Sequence, residues 1–153
     1  MTKLPYLAPN VHLPRDGGEK IEISELKPSN IVLFFYPRNN TGGCTKEAKE
    51  FTETLPEFQQ LNTKVFGISK DSVKSHENFI AKKQLKVPLL SDQNDNVCER
   101  FGVWKEKSMY GKTYFGIERS TFIIDGKGNV VKEWRKVKVP GHVRDVLEYV
   151  KEL

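Results

Sequence analysis

Six consecutive apolar residues, Ile31-Val32-Leu33-Phe34-Phe35-Tyr36, stand between Pro28-Ser29-Asn30 and Pro37. A strand with one wet face alternates apolar and polar side chains, whereas an unbroken aromatic and β-branched run is buried on both faces of its sheet. Both faces must then be covered by helices, which selects an α/β architecture. The run falls far short of the roughly 18 to 20 apolar residues that cross a bilayer, so no membrane span is expected. The chain's 153 residues, 37% hydrophobic and 29% charged, suit one compact domain over residues 1–153, with no repeat or linker to divide it.

The flanking patterns fill in this architecture. Val11 and Leu13 alternate with polar neighbours, Asp16-Gly17-Gly18 supplies a turn, and Ile21 and Ile23 resume the alternation, which predicts an N-terminal hairpin. Pro37 ends the central strand, and residues 38–43 form a short polar loop with Asn39, Asn40, Gly42 and Gly43 as turn residues. A helix follows with Cys44 in its first turn and with Phe51, Leu55, Phe58 and Leu61 on one face; Pro56 is expected to kink or divide it. Residues 65–69 read as a second inner strand, and Asp71 or Ser72 caps a helix carrying Val73, Phe79 and Ile80. Leu89 and Leu90 make a short apolar step before a short helix with Val97 and Phe101. Residues 121–124 are a strand that turns at 125–129 into an antiparallel partner at 130–134, and residues 142–153 form an amphipathic helix. Parallel and antiparallel pairs together give a mixed sheet.

Twenty-five Lys and Arg against twenty Asp and Glu leave a formal +5, interspersed along the chain, which argues against a nucleic-acid arm. Lys132, Arg135, Lys136 and Lys138, interrupted by Glu133, read as a solvated strand face. Residues 1–14 carry one Lys and three prolines but no apolar stretch of an export signal, so a cytoplasmic, reducing location is expected. Cys44 and Cys98 are too few and too far apart for a zinc cage or a disulfide framework, and His76 and His142 show no metal-ligand spacing, so no metal is expected. Helix-end or packing roles suit both histidines, and packing suits Trp104 and Trp134.

Cys44 follows a buried strand and a glycine-containing turn and opens a helix, where unpaired N–H groups and the positive end of the macrodipole favour a thiolate. A small buried hydrophobe is the other role of a free cysteine, but Gly42, Gly43, Thr45 and Lys46 are not apolar surroundings. A dithiol enzyme would carry a second cysteine three residues on; that place is Glu47, which leaves a one-thiolate chemistry.

Residues 37–44, Pro-Arg-Asn-Asn-Thr-Gly-Gly-Cys, resemble the P-x-x-x-T-x-x-C signature of peroxiredoxins, and Phe35-Tyr36-Pro37 with Cys44-Thr45-Lys46-Glu47-Ala48 is similar to the bacterioferritin-comigratory-protein branch. The likeness continues in family order through Gly67-Ile68-Ser69, Asp71-Ser72, Ser75-His76, residues 89–92, Phe101-Gly102-Val103-Trp104, a loop at 105–111, residues 116–122 and Gly141-His142. It implies a thioredoxin-like fold with a mixed central sheet flanked by helices. It also implies a thiol peroxidase that reduces hydrogen peroxide and organic hydroperoxides without metal, haem or flavin. By resemblance Cys44 is the peroxidatic cysteine that becomes a sulfenic acid. Thr41 would bond the thiolate or peroxide, Arg119 would stabilise the thiolate and the leaving oxygen, and Pro37 would shield the sulfur. The Gly43 and Cys44 N–H groups would add donors, with Glu47 in support. Taken alone, Thr41 is a turn or cap residue and Arg119 a surface ion-pair partner.

Two positions depart from the pattern. Gly42 stands where proline is frequent, and the resolving-cysteine places of this branch hold Lys49 and Ile80. Cys98 then resolves if the first helix unwinds, pairs between subunits, or sits inert in the core, in which case an external thiol reduces the sulfenic acid. Thioredoxin, glutaredoxin or a small thiol are the reductants implied, and a monomer or weak dimer is the implied assembly. A peroxide sensor or chaperone-like redox switch using the same thiolate is the competing function.

Overall fold

The computed structural model describes residues 3–153; Met1 and Thr2, which head the segment read as lacking an export signal, lie outside the described residues. In chain order the elements are β1 (Tyr6–Leu7), β2 (His12–Pro14), β3 (Lys20–Glu22), a 3₁₀ turn (Ile23–Leu26), β4 (Asn30–Phe35), α1 (Gly42–Gln60), β5 (Thr63–Ser69), α2 (Val73–Lys83), β6 (Leu89–Ser91) and α3 (Val97–Arg100). Then come β7 (Trp104–Met109), β8 (Lys112–Ile117), β9 (Ser120–Ile124), β10 (Asn129–Trp134) and α4 (His142–Lys151). Among the described residues six strands form the main sheet in the order β1-β10-β9-β4-β5-β6. Strand β4 is parallel to β5 and antiparallel to β9, so the sheet is mixed and the apolar run lies at its centre.

Every residue from Ile31 to Tyr36 is at most 2% exposed. Their alternation divides the core into two layers. Ile31, Leu33 and Phe35 pack with Phe101, Phe122, Ile68 and Cys98 on one face. Val32, Phe34 and Tyr36 pack with Cys44, Phe51, Phe58 and Leu147 on the other, where Phe34 and Phe51 stack at 4.4 Å. The period of two in β4 therefore places the two cysteines on opposite sides of the sheet.

The predicted N-terminal hairpin forms as β2 and β3. Helix α2 is capped by Ser72, whose side chain accepts from the Ser75 N–H. Helix α1 opens at Gly42 and continues through Pro56, so the proline does not divide it. Residues 105–111, read as a loop, instead belong to the β7–β8 hairpin, which turns at Tyr110 (φ 53°) and Gly111 (φ 77°). Both faces of this hairpin are largely exposed, with Met109, Tyr114 and Phe115 open to solvent, so the alternation that marks a half-buried strand is absent from its sequence.

Gly67 in β5 lies where a Cβ would come 2.7 Å from Phe34 Cζ and 2.7 Å from Leu89 Cδ2. Gly67→Ala is expected to destabilise the fold by about 1 to 3 kcal/mol through overpacking. Urea denaturation would show this as a lowered midpoint; an unchanged midpoint would mean that the two neighbours shift without cost.

Candidate active site

The chain leaves β4 through Tyr36 and is held there by a buried polar network. The Tyr36 hydroxyl donates to Asn39 Oδ1 (2.7 Å), and Asn39 Nδ2 donates to Ser75 Oγ (3.0 Å) and to His76 Nδ1 (3.0 Å). His76 Nε2 donates to the Leu90 carbonyl (2.9 Å), which leaves Nδ1 as the acceptor. Burial lowers the His76 pKa, keeping the ring neutral, as this network requires. The Asn39 N–H donates to Asp71 Oδ2 (2.9 Å), so the segment that follows the strand is tied to both β5–α2 and α2. Asn39, read from sequence as a turn residue, is thus a buried anchor whose amide is fully satisfied.

Thr41 is the N-cap residue of α1, with φ −90° and ψ 155°. Its hydroxyl donates to the Arg38 carbonyl (3.0 Å) rather than to sulfur. Pro37 is exposed, whereas Cys44, in the first turn, is 1% exposed. Arg119, in the connection between β8 and β9, has its carbonyl bound by the Val137 N–H (2.9 Å), and its guanidinium forks across the site. Nη2 donates to Cys44 Sγ (3.2 Å) and Nη1 to Glu47 Oε1 (2.7 Å). A Cβ at Gly43 would stand 3.2 Å from Nη2, so the glycine leaves room for the guanidinium. Burial acts to lower the Arg119 pKa, but Glu47 and Cys44 outweigh it and the net shift is upward, so the positive charge is secure.

Glu47 is fully buried. Burial pushes its carboxyl up to about 7, opposed by Arg119 and reinforced by Glu50. Its second oxygen, Oε2, has no hydrogen-bond partner and faces His142 Nε2 at 4.0 Å. His142 Nε2 lies 2.7 Å from Thr121 Oγ1, and its ring meets Trp134 edge-on at 5.6 Å. Burial pushes this imidazole down to about 4, with Asp145 opposing and Arg119 adding to the effect. His142 is the first residue of α4, and Thr121 comes from β9.

The structure thus gathers Cys44, Glu47, Arg119 and Gly43, with Thr41 and Pro37 in the adjoining loop. It does not gather Cys98. That thiol is fully buried in the other layer, and burial together with Asp92 pushes its pKa far up. The Asp92 carboxylate accepts the N–H groups of Val97 (3.1 Å) and Cys98 (2.7 Å), so the start of α3 is fixed as well. Among the described residues no three His, Cys, Asp or Glu side chains converge as metal ligands, and no helix is long and apolar enough to cross a membrane. Chemically, a sulfur facing a permanent cation at a helix start is arranged to carry negative charge and to attack an electrophile.

Comparison with known proteins gives a consistent result. The sequence pattern of the AhpC/TSA family matches residues 6–133. The chain is 45% identical over 149 residues to peroxiredoxin Bcp of Xanthomonas campestris, covering 97% of this chain and 93% of that one. It is 44% identical over 146 residues to peroxiredoxin Bcp of Bacillus subtilis, covering 95% and 93%. A solved structure of the X. campestris bacterioferritin comigratory protein, studied for alkyl peroxide reduction, superposes with a TM-score of 0.88 at 45% identity, covering 93% of this chain and 90% of that one.

Gly42 occupies the first position of α1, where the N–H has no intrahelical acceptor, and nothing lies within 4 Å of the place its Cβ would take. The extended Thr41 backbone is the conformation that a following proline prefers. Gly42→Pro is therefore expected to stabilise the protein by about 0.4 to 1 kcal/mol by restricting the unfolded chain. A thermal melt would show a raised Tm; a lowered one would mean that the ring strains the loop.

Proposed function

The chain belongs to the AhpC/TSA family and has the thioredoxin-like peroxiredoxin fold of a thiol peroxidase, and from this premise we propose that Cys44 is its peroxidatic nucleophile. The observation that carries this assignment is the Arg119 guanidinium donating to the Cys44 sulfur. The Cys44 thiolate attacks the terminal oxygen of a hydroperoxide; the S–O bond forms as the O–O bond breaks, and the alkoxide or hydroxide leaves with a proton as alcohol or water. Sulfur is oxidised to sulfenic acid and the peroxide is reduced. Arg119 balances the thiolate and then the charge on the leaving oxygen, and the N–H groups of Gly43 and Cys44 add donors at the helix start. The Thr41 hydroxyl turns from the Arg38 carbonyl to the bound peroxide, while Pro37 shapes the loop beside the sulfur. Glu47 supports Arg119.

The second half of the cycle is assigned to an external reductant. A thiol attacks the sulfenic acid, releases water and leaves a mixed disulfide, which a second thiol cleaves to restore Cys44. The placement of Cys98 in the opposite layer supports this one-cysteine cycle. Thioredoxin, glutaredoxin and small thiols are the reductant classes proposed. The proposed setting is the cytoplasm, where such thiols are kept reduced, and the proposed working form is a one-domain monomer or weak dimer.

Cys44→Ser is expected to abolish peroxide consumption, and Cys98→Ser to keep most single-turnover reactivity. Stopped-flow oxidation of both variants, with intact-mass analysis of the oxidised wild type, checks this. Activity retained in Cys44→Ser would reject the nucleophile, and a Cys44 to Cys98 disulfide would reject the external reductant as the resolving thiol.

A further inference from the structure

We propose that the β7–β8 hairpin is a docking element for anionic lipid headgroups, one that seats the protein reversibly on a bilayer surface without spanning it. The peroxidase reaction as assigned above uses none of its side chains.

Among the described residues, four of the seven large apolar side chains left exposed fall in this one ribbon: Met109 (56% exposed), Tyr110 (97%), Tyr114 (43%) and Phe115 (58%). The cross-strand register decides what can cover them. Met109 pairs with Lys112, Lys107 with Tyr114 and Lys105 with Gly116, so these residues share one face, whereas Glu106 pairs with Phe115 and Trp104 with Ile117 on the other. Contacts agree with this division: a Cβ at Gly116 would stand 3.5 Å from Lys107 Cδ and 3.6 Å from the Tyr114 ring, and Trp104 stacks on Phe115 at 6.4 Å. Apolar side chains therefore project from both faces of the ribbon and from its tip, where Tyr110 stands almost wholly in water. A folded partner laid on one face would leave either Phe115 or the pair of Met109 and Tyr114 wet. The area is small as well: these four side chains expose roughly 500 Å², short of the roughly 800 Å² that each partner contributes to a standard protein interface. A fluid interface needs no matching shape and surrounds the ribbon on every side.

The charges give the chemistry of that interface. Lys105, Lys107 and Lys112 share the face of Met109 and Tyr114, and no acidic residue occurs from 107 to 117. Lys107 donates to the Ile117 carbonyl (2.6 Å), while Lys105 and Lys112 are exposed. Lysine stems cover apolar surface as their ammonium groups reach phosphate, and tyrosine rings settle at headgroup level, so this set suits the boundary between acyl chains and anionic headgroups. Glu106, on the other face, stands level with Phe115, three residue pairs back from the pair of Met109 and Lys112, which limits the seating to the headgroups. The formal +5 of the chain adds longer-range attraction to a negative surface. The six residues of β8 span about 20 Å and lead through Glu118 to Arg119, so a seated tip leaves the site on the water side of the headgroups, open to dissolved peroxide and reductant.

The test is cosedimentation of the full chain with phosphatidylcholine vesicles, with and without phosphatidylglycerol, over a range of salt. Wild type should bind the mixed vesicles, release them as salt rises, and leave phosphatidylcholine alone unbound. Tyr110→Ser/Phe115→Ser should weaken binding by at least about tenfold, and Lys105→Gln/Lys112→Gln by about twentyfold. Lys136→Gln/Lys138→Gln, which removes the same charge from the segment before α4, should stay within about threefold of wild type. Both hairpin variants should consume dissolved hydrogen peroxide at the wild-type rate, with or without vesicles, which also shows that they fold. No binding to the mixed vesicles, equal binding to phosphatidylcholine alone, wild-type binding by the hairpin variants, or an equal loss in Lys136→Gln/Lys138→Gln would overturn the proposal. So would a wild-type dimer in analytical ultracentrifugation that Tyr110→Ser/Phe115→Ser converts to monomer, because a second copy would then cover the hairpin. A wild type inactive towards peroxide would instead remove the peroxidase assignment and leave the docking element standing.

Discussion

The site depends on one guanidinium divided between a sulfur and a buried carboxylate. Buried ion pairs add little net stability, because desolvation of both charges offsets most of their attraction. What the pair supplies is direction. The planar fork of arginine serves two acceptors at once, so the Glu47 contact at 2.7 Å fixes the plane in which the second nitrogen meets Cys44 at 3.2 Å. A lysine ammonium could not be oriented in this way by one carboxylate. Gly43 allows the close approach, and the Val137 N–H holds the Arg119 backbone from the far side.

That contact depends in turn on the parity of two neighbouring strands. In β4, Val32, Phe34 and Tyr36 face the layer that contains Cys44, and in the adjacent antiparallel strand β9 Ile123 faces the same layer. Thr121, two residues earlier in β9, shares that side and meets His142 of α4. Helices α1 and α4 both pack there, which brings the sulfur, the carboxyl and the imidazole together from segments far apart in the chain. A shift of one residue in the β4–β9 register would turn Thr121 away and send Phe122 into the site layer.

This explains which parts could be read from the sequence. The apolar run, the proline that ends it and the periodic helix face are local patterns, so β4, α1 and the position of Cys44 in its first turn follow from a few consecutive residues. Arg119 is 75 positions from Cys44, and only its resemblance to a family pattern gave it weight. Asn39 falls at an unspecified place of the signature, and Gly141-His142 belongs to the likeness only as the opening of the last helix, so neither residue was given a role in the site. Their roles come from contacts with His76, 37 positions away, and Thr121, 21 positions away, and nothing next to either residue announces them. The β7–β8 hairpin escaped for the opposite reason: it is local, but with both faces wet it lacks the alternation that burial imposes.

The two cysteines are the same residue type in opposite electrostatic surroundings. Both are buried; Cys98 is packed against the Asp92 carboxylate, which resists a thiolate, and Cys44 against a guanidinium, which favours one. Burial nevertheless sets a second requirement on Cys44. The sulfur is only 1% exposed, and in the proposed cycle an external thiol has to align with its S–O bond, which needs more room than this. The first turn of α1 is where that room can open, because Gly42 and Gly43 are the weakest helix formers in it and neither is held by a side chain of its own. Arg119 opposes such opening for as long as it bridges Cys44 and Glu47.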